Sequence, residues 1–294
     1  MTSSDHVSWR QHGQARLPNF VYIGPSKAGS TWLHEVLMVH SLVFMTDAKD
    51  LYFFDRYYER GADWYAEHFK HAGPEHAVVG EVCQEYLSCP EAPQRMHDLL
   101  GPDVRLMVTI RDPVARGFSG YLYMRKHGVF DGTFREALET RPGMLEHSRY
   151  ATLLDRYLDC FGRSQIHFGL FDDLVEDPQR FIDGVLNFLR IEPMRLEDQL
   201  LAARLPASRA RSRHLASAAK RGANWAREHG STTLIGRVKR SSAVQRLLYT
   251  ELDDRPTPRE EDAAYLRGRL RPEIERLEEM MGQDLQARWG WTSS

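Results

Sequence analysis

Phe20-Val21-Tyr22-Ile23-Gly24-Pro25-Ser26-Lys27-Ala28-Gly29-Ser30-Thr31-Trp32-Leu33 is the stretch on which the fold turns. Phe20 to Ile23 read as a short buried strand, a Gly/Pro/Ser loop follows, and Trp32, Leu33, Val36, Leu37 and Val39 then recur at helical spacing. A strand that passes through small residues into a helix start is a ready cradle for an anion. The helix N-terminus offers unsatisfied N–H groups and a positive dipole end, and small residues let the anion approach the backbone. Gly24, Ala28 and Gly29 supply that access, Ser30 and Thr31 add hydroxyls, and Lys27 adds a full charge, so the segment from Ser26 to Trp32 is the first candidate binding site. Lys27 precedes the glycine, whereas the nucleoside-triphosphatase pattern GxxxxGK[ST] places its lysine after it. A tight structural turn would use the same small residues, so the loop alone does not decide the ligand.

Outward from this stretch, further apolar runs lie at 42–45, 77–82, 104–110 and 166–171, with helical patterns at 91–100, 113–126 and 148–161. Fully apolar strands alternating with amphipathic helices predict an α/β fold. It has a P-loop-like parallel β-sheet of about five strands flanked by helices, and a helical C-terminal portion. In that portion Tyr265, Leu266, Leu270, Ile274, Leu277, Met280 and Met281 mark the apolar stripe of a helix over 258–281. Residues 1–17 are polar and read as a flexible N-terminal arm, residues 18–294 as one domain, and 204–250 as a basic helical lid or insertion.

Ile110-Arg111-Asp112-Pro113-Val114-Ala115-Arg116-Gly117-Phe118-Ser119 follows the fourth apolar run. Pro113 suits the first turn of a helix, and Ser119 lies two turns along. An arginine fork with a hydroxyl makes a clamp for a second, separate phosphate. Ligands of open α/β sheets gather beyond the strand C-termini, so both segments are expected on one edge. Arg116 is read instead as a structural salt bridge.

Together these residues resemble the PAPS-dependent sulfotransferases (PAPS is 3′-phosphoadenosine 5′-phosphosulfate). Lys27-Ala28-Gly29-Ser30-Thr31 is similar to the family's 5′-phosphosulfate loop, and Arg111 with Ser119 to its 3′-phosphate motif. Lys49-Asp50-Leu51-Tyr52-Phe53-Phe54-Asp55, and Gly80-Glu81 followed by Tyr86-Leu87, resemble the carbohydrate (heparan sulfate-type) branch. Gly282-Gln283-Asp284-Leu285 resembles the closing segment of bacterial members. The resemblance runs in order from about residue 19 to 291. It implies a sulfuryl transfer from PAPS, releasing PAP, with no metal required. Lys27 would neutralise the bridging oxygen, and Arg111 and Ser119 would hold the 3′-phosphate. The family's catalytic glutamate falls on Asp50, one methylene shorter, and Glu81 is the second candidate base. Tyr52 stands where some relatives have histidine, and Val82 where a lysine often follows. Leu205 to Arg211 resembles a loop that covers the nucleotide, which makes Arg209, Arg211 and Arg213 candidate donor contacts.

Composition narrows the surroundings. The net charge is −2, yet 204–246 carries eleven Arg/Lys and one acid, Glu228. That stretch suits an anionic ligand, an acceptor-side lid or a peripheral membrane contact, and equally a solvated helical face. Cys83, Cys89 and Cys160 are too few and too scattered for a disulfide framework or a zinc site. No apolar run reaches bilayer-spanning length and the opening residues lack a signal-peptide core. A cytoplasmic bacterial enzyme with a small-molecule or carbohydrate acceptor, and no nucleic-acid partner, is expected. The other readings are a P-loop-type nucleotide-dependent kinase and a non-catalytic nucleotide- or polyanion-binding protein. Neither His34-Glu35 with His40 nor the aromatics Phe53, Phe54, Trp64 and Tyr65 require function: the first misses the zinc-protease spacing, the second suit core packing.

Overall fold

Runs rich in β-branched, aromatic and other apolar residues become the strands of the main sheet, as their composition favours. A computed structural model describes residues 11–12, 15–202, 208–210, 249–251 and 256–291. A two-residue pairing of β1 (Gln11–His12) with β2 (Ala15–Arg16) precedes β3 (Phe20–Gly24), α1 (Ser30–Met38) and β4 (Val43–Met45). Then come α2 (Gly61–Glu67), β5 (Val78–Val82), α3 (Ala92–Leu100) and β6 (Arg105–Ile110). Four helices follow: α4 (Pro113–Lys126), α5 (Phe134–Thr140), α6 (Gly143–Glu146) and α7 (Tyr150–Leu158). The chain continues through β7 (Ile166–Leu170), α8 (Phe171–Glu176), α9 (Pro178–Leu189) and α10 (Asp198–Ala202). It closes with β8 (Ser208–Ala210), β9 (Tyr249–Glu251), α11 (Glu260–Met281) and α12 (Leu285–Arg288).

The sheet order is β4-β5-β3-β6-β7, and every pairing in it is parallel. The expected α/β class with five parallel strands is therefore the observed one. Because β3 and β6 are parallel neighbours, the loop after Gly24 and the chain leaving Ile110 start from the same sheet edge. Side chains alternate along each strand. Phe20 and Tyr22 of β3, Met107 of β6 and Val78 and Val82 of β5 meet α1 and α9 in one core, through Trp32, Leu33, Val36, Leu37, Ile182, Val185 and Leu186. Val79 and Glu81 occupy the alternate positions of β5, and Glu81 meets Tyr65 and Tyr86 there.

The chain divides into two compact units: Met1–Ile110 with Leu153–Ala203, and Arg111–Thr152 with Arg204–Ser294. The first holds the whole five-stranded sheet. In the second, α11 buries Leu266, Leu270, Ile274 and Leu277 of the stripe read from sequence, together with Ala263, while Tyr265, Met280 and Met281 of that stripe stay partly exposed. An Arg135–Asp262 ion pair at 2.9 Å ties α5 to α11.

Candidate active site

The loop after β3 is shaped by two glycines. Gly24 has φ +130° and a Cβ there would stand 2.7 Å from the Gln84 carbonyl oxygen; Gly29 has φ +90° and its Cβ would stand 2.6 Å from Leu174. Both positions thus demand glycine on conformation, and at Gly24 the crowding atom is backbone, which cannot give way. Gly29 is the N-cap of α1, no side chain caps it, and no acid sits in the first turn. The N–H groups of that turn are left for an anion, which is what a cradle requires. Lys27 also lies in the left-handed region, at φ +69°, a strained placement for a residue with a Cβ. Ala28 and Ser30 are buried, while Ser26, Lys27 and Thr31 are partly exposed. Trp32 belongs to the loop by its backbone only: its indole N–H donates to the Leu200 carbonyl at 2.9 Å and its ring packs edge-on to Phe181.

The segment after β4 lies against this loop. Asp50 is buried, with φ +66°. Its N–H donates to the Val82 carbonyl at 2.7 Å and its Oδ1 accepts from the Gln84 N–H at 3.3 Å. Lys49 Nζ lies 3.1 Å from Asp50 Oδ2 and donates to Ser30 Oγ at 3.3 Å. The carboxylate is thereby bridged to the first residue of α1. Two residues on, Tyr52 has φ +57° and carries the Arg56 guanidinium over its ring at 4.1 Å.

Glu81 is fully buried on β5. The Tyr65 hydroxyl donates to its Oε2 at 2.6 Å and the Tyr86 hydroxyl to its Oε1 at 2.7 Å. Burial pushes its carboxyl up to about 7; the two tyrosine bonds oppose the shift, and the charges of Asp55 and Asp50 add to it. The Tyr86 oxygen accepts in turn from the Phe53 N–H at 2.9 Å. Phe53, Phe54 and Tyr65 are buried and mutually packed, with Phe53 stacked on Tyr65 at 4.3 Å. Phe53, Phe54 and Tyr65 are core, as expected; Trp64, expected with them, is partly exposed and stacks beside Phe53 at 6.1 Å. Asp55 completes the segment: burial raises its carboxyl to about 6, against the opposing charge of Arg56.

In the second unit, Arg111 and Ser119 are partly exposed. The Arg111 carbonyl accepts from the Tyr150 hydroxyl at 2.8 Å. Asp112 caps α4 by accepting from the Val114 N–H at 3.1 Å, and its Oδ1 also accepts from the Trp291 indole at 3.2 Å. Burial raises the Asp112 carboxyl, and its bonds from Val114, Ala115 and Trp291 oppose that. Arg116 is buried and structural, its guanidinium donating to the Ser148 hydroxyl at 2.7 Å and to the Met144 carbonyl at 2.9 Å. Arg209 lies on β8; Arg211 and Arg213, like most of the basic stretch 204–246, fall outside the described residues.

Sequence reasoning placed Asp50 and the loop but assigned no role to Lys49, Gln84, Tyr65 or Tyr86. Lys49 was findable as the cation beside the candidate base. The tyrosine pair on Glu81 was not, because partners 16 residues before and 5 after it meet only once the chain folds.

The sulfotransferase domain family matches residues 17–221. The chain belongs to the sulfotransferase family. Among its relatives, a membrane-associated sulfotransferase of Dictyostelium discoideum is 34% identical over 147 residues, which is 46% of this chain and 31% of that protein. The human heparan sulfate glucosamine 3-O-sulfotransferase 6 is 31% identical over 189 residues, 61% of this chain and 54% of that protein. The crystal structure of a sulfotransferase from Alicyclobacillus acidocaldarius superposes with a TM-score of 0.56 at 27% identity, over 63% of this chain and 88% of that one. The chain thus spans from about a fifth to about half the length of the curated relatives it matches. Family and fold are those the motif order implied. Among the described residues no helix is long and apolar enough to cross a membrane.

Proposed function

We propose that this family member transfers a sulfuryl group from PAPS to a hydroxyl or amine of a small molecule, glycan or glycolipid, releasing PAP. The observation that carries this reading is the buried Asp50 carboxylate, joined through Lys49 to Ser30 at the head of an uncapped, glycine-shaped helix start. An anion held at the helix N-terminus and a proton acceptor beside it are the two things sulfuryl transfer needs.

The backbone of 28–31 holds the sulfate-bearing end of the donor, with Ser26 and Thr31 at its rim. The acceptor oxygen or nitrogen attacks sulfur while Asp50 takes its proton. The bond from sulfur to the 5′-phosphate oxygen breaks, its electron pair leaves with PAP, and Lys27 neutralises the charge that develops there. Arg111 and Ser119 take the 3′-phosphate, and Arg209, Arg211 and Arg213 are further donor contacts. Asp50 is preferred over Glu81 as base because Lys49 joins it to Ser30 at the head of the cradle, whereas Glu81 is fully buried with both oxygens accepting from tyrosine hydroxyls. We place the enzyme in a bacterial cytoplasm, with the basic stretch 204–246 as a lid over one domain or as a patch that meets membrane surfaces.

The test is donor transfer from labelled PAPS against labelled ATP, with Asp50→Asn beside the wild type. Label should move from PAPS alone. Asp50→Asn should lower kcat by about 10²–10⁴, the usual worth of a positioned base, with PAP affinity unchanged. Full turnover by Asp50→Asn would remove it as the base, and transfer from ATP would return the kinase reading.

A further inference from the structure

Trp291 is buried and its indole N–H reaches Asp112 across 179 positions of sequence. It is itself well held. The Trp291 N–H donates to the Gln286 carbonyl at 2.8 Å, and Arg271 donates to the Trp291 carbonyl at 3.4 Å and to Gln286 Oε1 at 2.7 Å. One residue before Asp112, the Arg111 carbonyl takes the hydroxyl of Tyr150, which is fully buried. Two side chains from distant parts of the sequence therefore fix the peptide unit that follows the Arg111 Cα, one through its carbonyl and one through the next side chain.

Helix capping accounts for neither bond. Asp112 already caps α4 through the Val114 N–H, and the Arg111 carbonyl precedes the helix. What the two bonds share is Arg111. A guanidinium recognises phosphate through a rigid fork, so its binding depends on direction more than a lysine's would. A small rotation at Cα becomes a large displacement at the end of a long side chain.

We propose that Tyr150 and Trp291 are positioning residues that aim the Arg111 guanidinium at the 3′-phosphate of the nucleotide, which makes the C-terminal segment part of donor selection. This rests on the reading of Arg111 as the 3′-phosphate contact. Neither residue need touch the ligand.

PAP and AMP differ only in the 3′-phosphate, so their affinity ratio isolates the effect. Both are titrated calorimetrically into the wild type, Tyr150→Phe, Trp291→Phe, the double variant and Arg111→Ala. In the double variant the PAP-to-AMP ratio should fall about fivefold to tenfold, part of one charge-assisted bond, with AMP affinity retained. Each single variant keeps an aromatic ring at its position and leaves the other tether, and carries the same expectation at smaller size if the double does not fold. Equal weakening of PAP and AMP means a merely structural role and overturns the proposal, as does an unchanged ratio. If Arg111→Ala leaves the ratio intact, the 3′-phosphate reading fails and this inference fails with it. If Arg111→Ala abolishes the ratio and the tether variants do not change it, only the positioning role is lost.

Discussion

A carboxylate with no exposure, such as Glu81, is costly to ionise, and here both oxygens are engaged by tyrosine hydroxyls. Burial raises its pKa from 4.5 to about 7, so the folded state holds the proton that the unfolded chain gives up. This contribution to stability is fully present below about pH 4.5 and is lost as pH rises through about 7. Glu81→Gln cannot ionise and should escape that loss. The melting temperature of the variant minus that of the wild type should therefore rise between pH 4.5 and 7 and level off above; a flat difference would place the Glu81 pKa near its ordinary value. Function should follow another route. The Tyr86 hydroxyl that donates to Glu81 also accepts from the Phe53 N–H, three residues beyond Asp50. Tyr86→Phe is expected to lower kcat modestly, by loosening that segment, while PAP affinity stays constant.

The strand-loop-helix unit of β3 and α1 is the element whose geometry tolerates least change. Gly29→Ala meets Leu174 at 2.6 Å while sitting at φ +90°. The two faults are separable. Gly29→Ala should destabilise by about 1–3 kcal/mol and weaken PAP binding. Adding Leu174→Ala removes the clash but leaves the backbone strain, so thermal melts of the double variant should not return to the Leu174→Ala value. Full recovery would mean that the strain is negligible. Element identity was legible for the strands of the main sheet because they are mostly apolar, and for the longer helices because they carry a 3.6-residue stripe; α4 begins at Pro113 as expected. Strand order was not legible. Placing β3 between β5 and β6 is a choice among parallel pairings that all bury similar Val/Ile/Met side chains. The left-handed residues Lys27, Asp50 and Tyr52 were equally hidden, since none is a glycine.

For the molecule as a whole, donor binding should report on folding. A ligand at a hundredfold excess over its dissociation constant stabilises by about 2.7 kcal/mol. PAP should thus raise the melting temperature more than AMP or ADP, which lack the 3′-phosphate. Equal shifts from all three would remove Arg111 and Ser119 as its readers. The candidate site could be proposed from sequence where it is local: the cradle, Asp50, and Arg111 with Ser119. What escaped is what joins distant segments, such as Lys49 on Ser30 and Trp291 on Asp112. Those pairings leave no periodicity and no motif.

The backbone at Asp50 bears on how this chain could be re-engineered. Aspartate and asparagine tolerate φ near +66° better than longer acids, because their short polar groups bond the local backbone. Position 50 thus trades reach for compatibility. A consensus redesign that installed glutamate there would lengthen the carboxylate by one methylene and lose the side chain best suited to that turn. Asp50→Glu should melt lower than Asp50→Asn, by about 1 kcal/mol of stability, while retaining a titratable group. Glutamate at position 50 would then gain reach and fit this turn less well, and keeping both would take a second change that lets the backbone relax.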